Sequence, residues 1–192
     1  SGSHAGYYPN AFNITIKITF NPETGRLYGG QCIGIDGVDK RIDQLALLIK
    51  TGGTVYDLMK LEHAYAPPFS SAKDPLAIAG YVANNIINGK MPVVYWRDIK
   101  NTTPDTVTLL DVRTKEEFKL GSIPGAINIP VDELRLRYND IPIDKPVYIY
   151  CQIGLRGYLA QQILFGKGFK KVFNLSGGYK TYKTVTSDFQ RE

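Results

Sequence analysis

The sequence predicts two units in succession: an α+β unit built on an antiparallel sheet, then an α/β unit whose parallel sheet is covered by helices. Three observations carry this. Asn13 to Phe20 alternates strictly, with Ile14, Ile16, Ile18 and Phe20 against Asn13, Thr15, Lys17 and Thr19, the period of a strand with one buried face. From Val93 onward, short β-branched runs alternate with helical patterns, the arrangement of a parallel sheet. Between them Lys90-Met-Pro92 marks a junction that divides residues 1–90 from 91–192.

In the first unit, Asn21-Pro-Glu-Thr-Gly25 turns the chain, and Arg26 to Ile35 is expected to return as a second strand. Cys32 falls inside that strand and reads as core packing. Asp39 is expected to cap a helix with apolar positions Ile42, Leu45, Ala46 and Ile49, closed by Gly52-Gly53. Thr54 opens a shorter helical turn, Tyr56 to Leu61. The stretch from His63 through Pro67-Pro68 to Ser71 is predicted irregular, because paired prolines forbid helix and disfavour a central strand. Asp74-Pro75 restarts a helix, cap and first position together, that runs through Ile78, Tyr81, Val82 and Ile86 to Gly89.

In the second unit, Val93 to Trp96 and Val107 to Asp111 are predicted strands. Thr114 with Glu117 forms a capping box, Gly121 to Pro130 turns into a third strand, and Asp132 to Tyr138 is helical. Val147 to Tyr150 and Val172 to Leu175 supply two further strands. Tyr148 and Tyr150 alternate with Val147 and Ile149 as core or pocket wall. Between strand and helix lies Cys151-Gln-Ile-Gly-Leu-Arg156-Gly157, followed by a helix with Leu159, Ile163 and Leu164 on one side. A strand that stops, turns and restarts as a helix aims several N–H groups at the turn, and the helix adds about half a positive charge there. Taken alone, Cys151 fits a buried structural cysteine as well as a reactive thiol. Arg156, the glycines at 154 and 157 and the strand–loop–helix setting favour the reactive thiol, since a nearby cation and helix N-terminus stabilise a thiolate. The loop residues Gln152, Ile153, Gly154, Leu155 and Gly157 are the expected anion cradle. Asp111 is expected as a buried acid paired with Arg113 or Arg156, a support more than a reactant.

Composition excludes several classes. Apolar residues make up 43% of the 192 and charged ones 21%, an ordinary globular balance. No run approaches the roughly 20 apolar residues of a membrane helix. Two cysteines are too few for a disulfide framework and point to a reducing, cytoplasmic setting, and two histidines make a multi-ligand metal site improbable. The net charge of +5 lies mainly in the second half, in part as Lys167, Lys170, Lys171, Lys180 and Lys183. No basic helix or interleaved aromatic motif marks a nucleic-acid surface. The lysines read as a solvated face, with attraction for a small polyanionic substrate as the other option.

Two resemblances extend this reading. Cys151-Gln-Ile-Gly-Leu-Arg156 resembles the active-site loop of the rhodanese family, whose cysteine carries sulfane sulfur as a persulfide. Four residues separate cysteine from arginine here, against five in the related phosphatases, which favours sulfur over phosphorus. Asp111-Val-Arg113 and Gly121-Ser-Ile-Pro-Gly-Ala126 resemble further rhodanese motifs, so the resemblance runs from 93 to about 183. Many members have histidine where Ser122 stands, and no proton role is carried to that position.

In the first half, Tyr28-Gly-Gly-Gln-Cys-Ile-Gly-Ile-Asp-Gly-Val-Asp-Lys-Arg41 resembles the C-terminal dimerisation domain of the pyridine nucleotide–disulfide oxidoreductases. Ala64-Tyr65-Ala-Pro-Pro-Phe-Ser-Ser-Ala-Lys-Asp-Pro75 and His4-Ala-Gly-Tyr-Tyr-Pro9 are similar to its branch of coenzyme A-disulfide reductases and NADH oxidases. The resemblance implies the C-terminal fragment of an FAD- and NAD(P)H-dependent coenzyme A-disulfide or persulfide reductase, homodimeric, with the flavin and nicotinamide domains missing. It implies a sulfane-sulfur donor and a thiol acceptor, coenzyme A persulfide among the candidates. It also implies that Tyr7 and Tyr65, exposed and idle in the fragment, complete a partner's reductase site, with Tyr8 as the substitute if the register shifts by one. No G-x-G-x-x-G follows a strand, so no FAD or NAD(P)H is expected in the fragment itself. The rival reading is a non-catalytic dimerisation and docking module.

Overall fold

Residues 1–188 are described by the computed structural model, in two compact units that divide between Lys90 and Met91. In the first, β1 (Thr15–Phe20) pairs antiparallel with β2 (Leu27–Ile33), with a shift in register between Thr19 and Phe20. Three helices follow, α1 (Val38–Lys50), α2 (Val55–Lys60) and α3 (Pro75–Ile87). Leu27, Leu45, Val55, Leu58, Leu76 and Ala83 form the core, and Ile16, Ile18 and Phe20 pack on it from the buried face of β1. Gly30 is where α1 meets the sheet, since a Cβ there would overlap Leu45.

The start of α1 differs from the expectation. Its N-cap is Gly37 in a left-handed conformation (φ 66°), and Asp39 lies inside the first turn with no capping bond. The reason is Arg41, whose Nη1 donates to the Gly37 carbonyl oxygen at 3.0 Å and would meet any Cβ at that position. The end of α1 does close on glycine: Gly52 N donates to the carbonyl of Ile49 at 3.1 Å and Gly53 N to that of Leu48 at 2.7 Å. Thr54 and Asp57 make a capping box on α2, and Asp74 caps α3 by accepting from Leu76 N at 3.0 Å. The strand predicted to Ile35 stops at Ile33. Cys32 is half-buried and not core, and burial pushes its thiol up despite nearby Arg41.

The second unit holds a five-stranded, all-parallel sheet in the order β3-β7-β6-β4-β5. Its strands are β3 (Val93–Val94), β4 (Thr108–Asp111), β5 (Ile127–Asn128), β6 (Val147–Tyr150) and β7 (Val172–Leu175). The helices are α4 (Trp96–Ile99), α5 (Lys115–Lys119), α6 (Leu134–Arg137), α7 (Leu155–Gly166) and α8 (Gly178–Asp188). Successive residues of a strand face opposite sides, so neighbours divide between two cores. Leu110, Val147 and Ile149 pack with Ala160 and Leu164 of α7, while Leu109 and Tyr150 pack with Leu175 and Tyr179.

Three expectations need correction here. Val93 to Trp96 is a two-residue strand, and Trp96 already begins a helix. The helix after Cys151 begins at Leu155, and its buried positions are Gly157, Ala160, Gln161 and Leu164, so Leu159 is left 47% exposed. Finally, α8 had no counterpart in the sequence reading, and it turns out to border the site.

Candidate active site

Cys151 stands directly after β6, the middle strand of five, at the carboxyl end where open parallel sheets bind ligands. It is 1% exposed. Gly154 N donates to Cys151 Sγ at 3.1 Å, closing a tight loop. Gly154 has φ 132°, a backbone that side-chain-bearing residues rarely adopt. Asn174 of β7 fastens the loop by donating from Nδ2 to the Gly154 carbonyl at 3.0 Å.

Gln152, Ile153 and Gly154 form the loop, with Ile153 59% exposed, while Leu155 is already helical and 66% exposed. Gly157 lies in the first turn of α7, and its missing Cβ makes room for the Asn174 side chain.

Arg156 does not reach the loop as a lone cation. It holds Glu117 bidentately, Nη1 donating to Oε2 at 2.6 Å and Nη2 to Oε1 at 2.8 Å. The Arg156 hydrogen bonds outweigh partial burial and hold the Glu117 carboxyl at about 2, well below the usual range. The same pairing raises Arg156 above its ordinary value, with a smaller contribution from Cys151. Glu117 also accepts from Thr114 N at 3.0 Å, and Thr114 Oγ1 accepts from Glu117 N at 3.2 Å. The capping box visible in the sequence thus orients a carboxylate onto the loop arginine.

Of the two arginines proposed for Asp111, the structure pairs it with Arg113. Arg113 Nη2 donates to Asp111 Oδ2 at 2.6 Å, and Arg113 Nε lies 3.0 Å from both carboxylate oxygens. Both are buried. From there Arg113 reaches Gln152 Oε1 at 3.4 Å and the Gly121 carbonyl at 2.8 Å, and lies 4.1 Å from the Tyr179 ring centroid. Tyr150 is buried, its hydroxyl accepting from Ile123 N at 3.1 Å, and burial pushes that phenol up.

The sequence reading missed Gly178. Its φ is 59°, and a Cβ there would lie 2.6 Å from the Cys151 carbonyl oxygen and 2.8 Å from Gln152 backbone atoms. That close approach lets α8 bond the loop: Tyr179 N donates to Cys151 O at 2.8 Å and Lys180 N to Gln152 O at 3.0 Å. The Gly177-Gly178 pair after a strand was the available signal.

In the first unit, Tyr7 is 77% and Tyr65 52% exposed, as expected, and their hydroxyls meet at 2.8 Å. That bond raises the Tyr65 phenol. Tyr8 is 43% exposed. In the same unit, buried Arg41 donates to Ser3 O at 2.7 Å and to Asp74 Oδ2 at 2.8 Å, tying the N-terminal segment to the start of α3. Burial alone would raise Asp74, but Arg41 outweighs it and holds the carboxyl low. Among the described residues no group of three or more His, Cys, Asp and Glu could hold a metal ion, and no helix is long and apolar enough to cross a membrane.

Two family models match, the rhodanese-like domain over residues 94–184 and the pyridine nucleotide-disulphide oxidoreductase dimerisation domain over residues 1–77. A coenzyme A disulfide reductase of Staphylococcus haemolyticus is 40% identical over 86 residues, 45% of this chain and 20% of that protein. A sulfurtransferase of Allochromatium vinosum is 40% identical over 74 residues, 38% of this chain and 69% of that protein. Among solved structures, reduced Bacillus anthracis CoADR-RHD has a TM-score of 0.94 at 50% identity, covering 98% of this chain and 34% of that one. An NAD-dependent persulfide reductase from A. fulgidus has a TM-score of 0.81 at 38% identity, covering 93% and 32%. The chain thus spans about a third of the length of these two solved chains.

Proposed function

Because the chain belongs to the rhodanese-like family through its second unit and carries a pyridine nucleotide-disulphide oxidoreductase dimerisation domain in its first, we propose that it is the sulfur-transferring and dimerising part of a coenzyme A-disulfide or persulfide reductase. The Cys151 thiolate attacks the outer sulfur of a sulfane-sulfur donor. The bond from Cys151 Sγ to that sulfur forms, the donor's own bond to it breaks, and the electron pair leaves with the donor. An acceptor thiolate, its proton lost to solvent, then attacks the outer sulfur of the persulfide. The acceptor gains the sulfur–sulfur bond, and Cys151 recovers its electron pair as thiolate.

The observation that carries this reading is the Gly154 N–H at 3.1 Å from Cys151 Sγ, a donor held by the backbone where negative charge gathers. Gln152, Ile153 and Leu155 shape the loop beside it. Arg156 adds positive charge in a position steadied by Glu117. Asp111 and Arg113 brace the wall through Gln152.

The dimer is supported by exposed apolar side chains of the first unit, Ile33 at 70%, Ile35 at 80% and Phe69 at 70%. Tyr7 and Tyr65 then serve the reductase site of the partner. FAD and NAD(P)H are not assigned to these residues. The glycine-opened turn from strand to helix reads Cys151-Gln-Ile-Gly154, without the spacing of a dinucleotide loop, so no step runs through either. Thiol chemistry of this kind suits the cytoplasm.

Intact-mass measurement after exposure to thiosulfate tests the transfer. A gain of one sulfur atom is expected in the wild type and none in Cys151→Ser. An equal gain in both removes Cys151 from its role.

A further inference from the structure

We infer that the cleft beside the Cys151 loop binds the anionic part of an acceptor thiol, with Lys180 and Lys183 of α8 supplying its positive charge. The inference rests on the sulfur-transfer reading above and adds the class of acceptor. The cleft measures about 420 Å³ and is lined by Arg113, Glu117, Gln152, Tyr179, Lys180 and Lys183, among others.

Its charges are not equal partners. Arg113 is neutralised by Asp111 at 2.6 Å, and Glu117 by Arg156 at 2.6 Å. Lys180 and Lys183 are exposed, and among the described residues neither ammonium group has a carboxylate partner. The uncompensated charge of the cleft is therefore theirs. An ammonium group is a compact charge with three donors, suited to phosphate or carboxylate oxygens.

Backbone bonds tie the helix that carries these two lysines to the Cys151 loop. The lysines stand three positions apart on α8 and both line the cleft. The helix is fastened to the loop itself, through Tyr179 N to Cys151 O at 2.8 Å and Lys180 N to Gln152 O at 3.0 Å. Those bonds use the first amides of α8, which leaves side chains, not the helix end, to meet an anion. Cys151 is 1% exposed, so a thiol gains from a hold remote from its sulfur. Attraction at the cleft supplies that hold, the use of binding energy away from the reacting atom. The ligand class is a small thiol bearing phosphate or carboxylate groups some distance from its sulfur.

The test isolates the acceptor step. The full chain is loaded with sulfur from thiosulfate, freed of donor, and mixed with coenzyme A, glutathione or 2-mercaptoethanol. The quantity read is the second-order transfer rate to each anionic thiol divided by that to the neutral one. In Lys180→Glu/Lys183→Glu this ratio is expected to fall about tenfold or more, and in Lys180→Arg/Lys183→Arg to stay within about twofold of wild type. The larger fall, for coenzyme A or for glutathione, identifies phosphate or carboxylate as the favoured group. Loss of folding would slow all three thiols together and leave the ratio standing. A ratio unmoved by the glutamates, or lowered equally by the arginines, overturns the inference and leaves sulfur transfer intact. A wild type that transfers to none of the three thiols overturns both.

Discussion

Glu117 shows how one side chain serves local and distant structure together. Its backbone N–H and one carboxylate oxygen complete the cap of α5, and both carboxylate oxygens accept from Arg156 across the site. The folded-state value of about 2 lies below the ordinary 4.5. Such a group contributes stability that is fully present above 4.5 and is lost as pH falls towards about 2. The pair is about one-third exposed, so solvent screening leaves its contribution at about 1 kcal/mol at neutral pH. Thermal unfolding of Glu117→Gln is therefore expected to show a deficit at pH 7 that narrows between pH 4.5 and 2. A deficit that is constant with pH would detach the effect from this carboxylate. The same variant frees Arg156 from its fixed position and is expected to slow persulfide formation.

At the scale of elements, α8 depends on one residue without a side chain. A methyl group at Gly178 has to enter space held by the Cys151 carbonyl and the Gln152 backbone, in a conformation with φ 59°. Gly178→Ala is expected to cost about 2 kcal/mol or more and to push α8 off the loop. Denaturant unfolding reads the first effect, and the sulfur-uptake rate the second. A variant of unchanged stability and uptake would show that α8 is not fastened in this way. The Arg41–Asp74 pair works comparably in the first unit. It joins the start of α1, the cap of α3 and the Ser3 carbonyl, and so sets the segments that carry Tyr7 and Tyr65.

For the whole molecule, the proposed two-fold dimer sets the apolar surface of the first unit against its own copy. Sedimentation equilibrium is expected to return twice the chain mass, and Ile33→Lys/Ile35→Lys to return the monomer. A wild-type chain that stays monomeric at the highest concentrations would remove the dimer from the proposal. The tyrosines belong to this scale because the task proposed for them lies outside the chain. Each phenol can donate to a sulfur leaving group, and the 2.8 Å bond between them keeps both hydroxyls together. In a full-length reductase, Tyr7→Phe and Tyr65→Phe are expected to slow disulfide or persulfide reduction by about tenfold, well beyond any change in flavin reduction by NAD(P)H. Stopped-flow measurement of the two half-reactions separates them, and equal losses in both would cancel the assigned role.

The sequence by itself determined what depends on near neighbours along the chain. Alternation placed Ile16, Ile18 and Phe20 on one face, Thr54 and Thr114 announced helix starts, and the residues 151–156 disclosed a turn between strand and helix with a cysteine at its mouth. These features are legible because capping, turning and strand pattern are settled within a few residues. The resemblances added the two families and the two tyrosines. Only the tertiary structure decided the partners. Arg156 meets Glu117 across 39 positions, Asn174 holds Gly154 across 20, and Gly178 lies against Cys151 because β7 runs beside β6. Asp39 looked like a cap until Arg41 claimed Gly37, and Leu159 looked buried until packing on the sheet turned Gly157, Ala160, Gln161 and Leu164 inward. Partner choice is set by which strands become neighbours in the sheet, and no local spacing records that order.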